Sequence, residues 1–295
     1  MISRNEADEY VSGRLSNFQR PTEALGRVFT ADQQEHLEQA RHSIDSTARR
    51  IAFCTYENPF AKSGGLAAVA DRLPPALKHH AKNVVLLSPL HSRLSTRPSA
   101  EKLKSLGTTD VPFDGKDFPL ELWEHIDGKK NRWILMRSKG FFEADGGATK
   151  SDPYVHEDQR QLLADGLFAC AAVPRALALL GWKDNVIIHA QDWQFVSTAL
   201  TVKCAMLEKV VNSAAVVLTM HNPYDSTLSH ESVRRMIPSR TIGSEACEML
   251  GRGTVYQSMI PFLDAPVCTV SRTFAEELIS DPLQTKLHFL RTGTC

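Results

Sequence analysis

The stretch Ile51-Ala52-Phe53-Cys54-Thr55-Tyr56, followed by Asn58-Pro59-Phe60-Ala61-Lys62-Ser63-Gly64-Gly65-Leu66, decides the fold. Its first half is a short apolar run with β-forming character, and its second half ends in paired glycines that open a helix. That helix is predicted over Gly64 to Lys78, because Leu66, Val69, Leu73 and Leu77 recur at helical spacing. Val84 to Ser88 reads as the next strand. Strand, glycine turn, helix and strand in that order make a βαβ unit, which joins parallel strands by a crossover helix.

The same alternation continues downstream. Leu120 to Ile126 and Arg132 to Arg137 flank Asp127-Gly128 and predict a hairpin whose loop is lengthened by Lys129 to Asn131. His156 to Leu180 reads as a long helix with Pro174 as its kink point. The strand Val186 to Ala190 leads into a helix over Trp193 to Leu207, Val216 to His221 is a further strand, and Val267 to Ser271 leads into a helix over Thr273 to Ser280. The expected fold class is α/β, a Rossmann-like three-layer α/β/α arrangement with a mainly parallel sheet.

No internal repeat or low-complexity linker divides this region, so residues 49–295 read as one domain. Residues 1–48 are rich in Glu, Gln, Arg and Ser, with Leu25, Val28, Phe29, Leu37 and Ile44 at loosely helical spacing, and read as a helical extension. Thr30 or Asp32 would cap its helix.

The 295 residues are 42% hydrophobic and 23% charged, which excludes a disordered or fibrous chain. Thirty-four basic residues balance 34 acidic ones, so the electrostatic footprint of a nucleic-acid or anionic-membrane partner is missing. Apolar runs such as Val84 to Leu87 and Ala214 to Leu218 are far too short to span a bilayer. Met1 to Tyr10 is polar and acidic with no apolar leader segment, and a cytoplasmic protein is expected. Cys54, Cys170, Cys204, Cys247, Cys268 and Cys295 form no C-x-x-C pair and read as reduced core residues.

In an open parallel sheet, ligands gather where strands end. Lys62, Gly64 and Gly65 after the first strand would suit an anion, since glycines allow close approach and the first helical N–H groups are unpaired. The same turn is also an ordinary structural device. Neither a P-loop nor a dinucleotide fingerprint is present, and no cofactor is assigned. His189-Ala190-Gln191-Asp192-Trp193-Gln194 ends another strand, with Asp192 as a helix N-cap or a site residue and His189 as a core histidine or a site residue. His221 in Thr219-Met220-His221-Asn222-Pro223-Tyr224 sits at a third strand end. In Thr269-Val270-Ser271-Arg272-Thr273-Phe274-Ala275-Glu276-Glu277, Ser271 or Thr273 reads as a cap paired with Glu276. His230-Glu231 lacks the second histidine of a zinc helix, His79-His80 reads as a solvated helix end, and no metal is assigned.

The ordered set Lys62-Ser63-Gly64-Gly65-Leu66, His189-Ala190-Gln191-Asp192-Trp193-Gln194, Thr219-Met220-His221-Asn222 and Thr269 to Glu277 resembles the bacterial glycogen synthase and plant starch synthase family. The resemblance covers roughly residues 50 to 285, which in that family form the amino-terminal half of a two-lobed GT-B glycosyltransferase. It implies retaining transfer of glucose from ADP-glucose or UDP-glucose to an α-1,4-glucan. Lys62, Gly64 and Gly65 would hold the diphosphate, Asn222 and Tyr224 would line the same nucleotide-sugar cleft, and His221 and Asp192 would be catalytic. Ala68, Gln191, Gln194 and Pro223-Tyr224 depart from the usual pattern and leave donor base and acceptor open.

The family's carboxyl-terminal lobe has no counterpart in these residues, so weak or no activity is expected from the chain alone. It would be a truncated product, a fragment, or half of a split enzyme completed by a separate chain. The rival readings are a non-catalytic glucan-binding or regulatory module and another nucleotide-sugar transferase on the same scaffold.

Overall fold

In a computed structural model, residues 21–44, 50–78, 81, 83–237, 241–280 and 293–294 are described. The expected end at His79-His80, the cysteine Cys295 and the first 20 residues lie outside them. The strands are β1 (Arg50–Cys54), β2 (Asn83–Pro89), β3 (Lys104–Phe113), β4 (Lys116–Ile126), β5 (Arg132–Arg137), β6 (Val186–Gln191), β7 (Ala214–Met220), β8 (Cys268–Thr269) and β9 (Gly293–Thr294). The helices are α1 (Pro21–Val28), α2 (Ala31–His42), α3 (Gly65–Leu77), α4 (Gln159–Leu179), α5 (Trp193–Val196), α6 (Thr198–Leu207), α7 (His230–Met236), α8 (Ser244–Leu250), α9 (Val255–Met259) and α10 (Arg272–Ser280).

One nine-stranded sheet runs in the order β3-β4-β5-β2-β1-β6-β7-β8-β9. It is parallel from β5 to β9, and β3 and β4 add an antiparallel edge. The chain moves outward from β1 to β2 on one side, then returns past β1 to build β6, β7 and β8 on the other. The strand order therefore reverses between β1 and β6. A crevice opens at the carboxyl ends of such a pair because the connections leaving them diverge to opposite faces.

Alternation along the strands sends Ala52 and Cys54 to one face and Phe53 to the other. Phe53, Leu86, Trp133 and Leu135 pack with Ala70 of α3, whereas Ala52, Cys54, Leu87, Ile188 and Ala190 join Phe168, Ala172 and Leu200 of α4 and α6. Val28, Phe29, Leu37 and Ala40 of the first two helices enter this second, larger cluster. Thr30 caps α2 in a box with Gln33, as the sequence leads one to expect.

The expected fold class holds, and several local expectations are revised. β3 was not anticipated: its turn Asp114-Gly115 has positive φ at both residues, 53° and 69°, the backbone of a tight hairpin. The expected Asp127-Gly128 hairpin is present, but its loop is held by Asp127 Oδ1, which accepts the amides of Lys129 and Asn131. The helix expected over Trp193 to Leu207 divides at Ser197 into α5 and α6. α4 runs without interruption through Pro174. The proline cannot donate to the Cys170 carbonyl, and Thr201 Oγ1 supplies that missing bond at 2.7 Å. Ser271 accepts the Phe274 amide as expected of a cap, but Glu276 pairs with Arg272 at 2.8 Å instead of closing a box. Cys54, Cys170, Cys204 and Cys247 are free and buried, and Cys268 is half-buried.

Candidate active site

The loop after β1 is organised by a residue the sequence reading passed over. Glu57 is buried, and its Oε2 accepts the amides of Ser63 and Gly64 at 3.1 Å and of Ala67 at 3.2 Å. Its Oε1 accepts the Tyr154 hydroxyl at 3.1 Å. The carboxylate thus meets the unpaired donors and the positive end of α3. Three of the donors offered to an external anion are already engaged by the chain itself. Among the described residues the amides of Gly65 and Leu66 are left over, and a Cβ at Gly65 would meet nothing within 4 Å, so this end opens outward.

Lys62 lies at the same exposed end. Its amide donates to the Ser151 carbonyl at 3.0 Å, and its carbonyl accepts the Ser151 hydroxyl at 3.2 Å. Ser63 Oγ donates to Asp152 at 2.8 Å. The segment around residue 151 is therefore stitched to the glycine loop, which places Tyr154 beside Glu57. Tyr154 stacks on Tyr56 with ring centroids 5.5 Å apart.

At the end of β6 the backbone takes a left-handed turn at Asp192, φ 58°. Such a conformation is uncommon for a residue with a Cβ and is retained where neighbours over-determine it. Asp192 precedes α5, but its side chain makes no cap bond. Instead Oδ1 accepts the His221 amide at 2.7 Å and Oδ2 accepts the Asn222 side-chain amide at 3.0 Å. Asn222 Oδ1 in turn accepts the Tyr224 amide at 3.0 Å, and Tyr224 projects 73% exposed. Asp192, His221 and Asn222 are thus joined directly, with Tyr224 mounted on the same turn.

Burial pushes the Asp192 carboxyl up to about 7, and the nearby Glu57 charge adds to the rise. Burial likewise pushes His221 down to about 4. His221 is therefore a neutral imidazole at pH 7, and its Nε2 lies 2.6 Å from Gln191 Oε1. His189 faces Thr219 Oγ1 at 2.8 Å and meets Phe53 edge-on, and burial with His221 nearby pushes it down to about 4. This is the satisfied core histidine of the two readings offered by the sequence.

The sequence reading also missed Tyr154 and Tyr256. Tyr256 is fully buried, and its hydroxyl titration is raised by burial and then by Asp192. Nothing in the local pattern marks either tyrosine, since each reaches the site from a separate loop or helix. A separate cleft of about 750 Å³ lies between the β3–β4 turn and α7. Asp114, Asp117 and Glu231 line it with Lys116 and Arg234, a mixture that selects neither sign of ligand.

Comparison with known proteins follows the same outline. The sequence profile of the starch synthase catalytic domain matches residues 50–291. The glycogen synthase of Thermotoga maritima is 29% identical over 251 residues, covering 81% of this chain and 48% of the relative. Glycogen synthase 2 of Agrobacterium fabrum is 26% identical over 234 residues, covering 78% of this chain and 43% of the relative. The solved catalytic domain of starch synthase IV from Arabidopsis thaliana, bound to ADP and acarbose, superposes with a TM-score of 0.65 at 22% identity, over 81% of this chain and 48% of that one. The chain spans about half the length of the curated relatives it matches.

Proposed function

The chain belongs to the starch synthase catalytic domain family, and from that premise we propose that it forms one wall of an α-glucan glucosyltransferase. The reaction is retaining transfer of glucose from ADP-glucose to the end of an α-1,4-glucan, with UDP-glucose as the other donor to be tried. The observation that carries this reading is the joining of Asp192, His221 and Asn222 at the ends of β6 and β7, beside the glycine loop that Glu57 holds at the end of β1.

Breaking the bond between sugar and diphosphate loads negative charge on the leaving group while the anomeric carbon turns cationic. Fixed donors aimed at that charge lower the barrier because they need no reorganisation. Lys62 and the unengaged amides of Gly65 and Leu66 are the groups suited to this, since Glu57 occupies those of Ser63, Gly64 and Ala67. In this reading the role of Gly64 is to let the backbone approach, and not to donate. Asp192 fixes the peptide of His221, so that histidine backbone and ring meet the hexose in one geometry. Asn222 and Tyr224 line the cleft beyond it.

The same cleft in this family has a second wall, and one wall neither excludes water nor fixes the anomeric carbon. These 295 residues by themselves are therefore proposed to transfer weakly or not at all. The test is incubation with ADP-[14C]glucose or UDP-[14C]glucose and glycogen, with and without the carboxyl-terminal half of a full-length relative. Label in glycogen is expected only in the combination, and is expected to be lost in Lys62→Ala and His221→Ala. Unchanged transfer by both variants would overturn the site.

A glucan-binding module without transfer is the second reading. The Glu57 carboxylate beneath the glycine loop favours it, because a buried negative charge there suits a neutral sugar better than a diphosphate. Glycogen binding by the chain, with no labelled product in any combination, would establish it.

A further inference from the structure

The faces of β6 and β7 hold an arrangement that the reaction as described does not use. Gln191 pairs with Thr219 across the two parallel strands, so the two side chains share a face. His189, two residues before Gln191, and His221, two residues after Thr219, fall on that same face. The result is a polar ladder in which His189 meets Thr219 at 2.8 Å and Gln191 meets His221 at 2.6 Å. Asp192, next in sequence to Gln191, turns through its left-handed backbone and reaches the His221 amide. Gln191 at the end of β6 and Asp192 just after it therefore hold one histidine, the first by its ring and the second by its main chain.

We propose that Gln191 is a positioning residue for His221, its side-chain carbonyl holding the imidazole as the Nε2–H tautomer and leaving Nδ1 as a lone-pair acceptor for a sugar hydroxyl. The sugar part of this statement rests on the proposed reading of His221, and the tautomer part does not. A carbonyl oxygen only accepts, so the ring nitrogen facing it must carry the hydrogen. Gln191 is fully buried, and its own Nε2 makes no hydrogen bond. An amide partner is indifferent to pH and holds the ring without drawing a proton onto it, whereas a carboxylate partner would stabilise the imidazolium. The titratable groups disposed around this end of the sheet are His189 on β6, Asp192 at its end, Glu57 and Tyr154 beside the β1 exit, and Tyr256 beside Asp192. A neutral ring with an acceptor nitrogen accepts a hydrogen bond from a hexose hydroxyl, where an imidazolium would repel the cationic anomeric centre.

The experiment is long-range 1H–15N correlation on the histidine-labelled chain, without sugar, for the native protein and for Gln191→Met and Gln191→Glu. The native His221 is expected as a single neutral Nε2–H tautomer at pH 7. Gln191→Met keeps the side-chain length and removes the acceptor, and is expected to give a mixture of tautomers or the Nδ1–H form. Gln191→Glu is expected to restore Nε2–H and to raise the pH at which the ring titrates by more than one unit. An Nδ1–H ring in the native protein overturns the proposal whether or not either variant folds, and so does an unchanged His221 spectrum in a folded Gln191→Met. In the reconstituted transfer assay Gln191→Met is expected to lower the rate about tenfold with little change in donor KM, consistent with loss of one positioning hydrogen bond. Failure of the native pair to transfer at all would count against the proposed reaction and leave the tautomer measurement unaffected.

Discussion

His91 shows how much a single side chain can cost. It is buried between Tyr56 and Phe142, with no polar side chain on either ring nitrogen and only the Tyr56 backbone as a weak partner. Burial, with His156 nearby, pushes it down to about 3. Its folded pKa lies below its unfolded one, so the unfolded chain binds the extra proton between about pH 3 and 6.5, and stability is lost as pH falls through that window. His91→Phe is expected to remove this loss. The urea midpoint should rise more at pH 5 than at pH 8, and the slope of stability against pH should fall by about 1.4 kcal/mol per unit. Asp192 offers a complementary case. In Asp192→Asn one amide group would confront the Asn222 amide, and a cost of about 1–3 kcal/mol is expected in urea unfolding at pH 8. Asp192, His221 and Asn222 were legible in the sequence because each stands at or just after a strand end. Glu57 was not, because a carboxylate three residues past a strand has no local signature until the loop folds back over it.

The elements carry their own tests. α3 begins at a glycine without a side-chain cap, and Glu57 substitutes for the missing cap from seven residues upstream. Glu57→Ala is expected to accelerate hydrogen exchange at the Ser63, Gly64 and Ala67 amides while leaving those of β6 and β7 slow. Uniform acceleration across the sheet would show instead that Glu57 supports the whole fold. α7 and α8 meet at Gly251, where a Cβ would fall 2.0 Å from the His230 amide nitrogen. The neighbour is backbone and cannot rotate away, so Gly251→Ala is expected to destabilise by about 1–3 kcal/mol or more, read as a lowered melting temperature. The helices α7 to α9 escaped the sequence reading because each is only five to seven residues long, too short to display a period. The β3–β4 hairpin escaped it because its outer strand is polar, although Asp114-Gly115 was a sharper turn signal than Asp127-Gly128.

For the whole molecule, opposed titrations set the pH dependence. His91, His189 and His221 are pushed down to about 3, 4 and 4, and the unfolded chain binds more protons at these sites below about pH 6.5. Asp165 and Asp192 are pushed up to about 7, mainly by burial, and at these the folded chain binds more protons between about pH 4 and 7. The histidines outnumber the carboxyls below pH 6.5, and stability there should rise with pH. Above it the histidines fall silent while the two carboxyls finish ionising, and stability should decline. Urea midpoints measured from pH 4.5 to 8.5 are expected to peak near pH 6–7. A peak above pH 8 would show that the carboxyls are not held as buried acids. The sequence by itself determined the three-layer α/β class, because apolar periodicity is a local property of the chain, and its ordered motifs carried the family resemblance. It also marked the strand ends, since polar residues interrupt apolar runs there. Only the tertiary structure decided which groups meet. The Glu57 clamp on the glycine loop, the ladder of His189, Thr219, Gln191 and His221, and the tyrosine beside Glu57 join segments from 6 to 97 residues apart. Such contacts depend on strand register and on reversal of strand order between β1 and β6, which no local window of sequence contains.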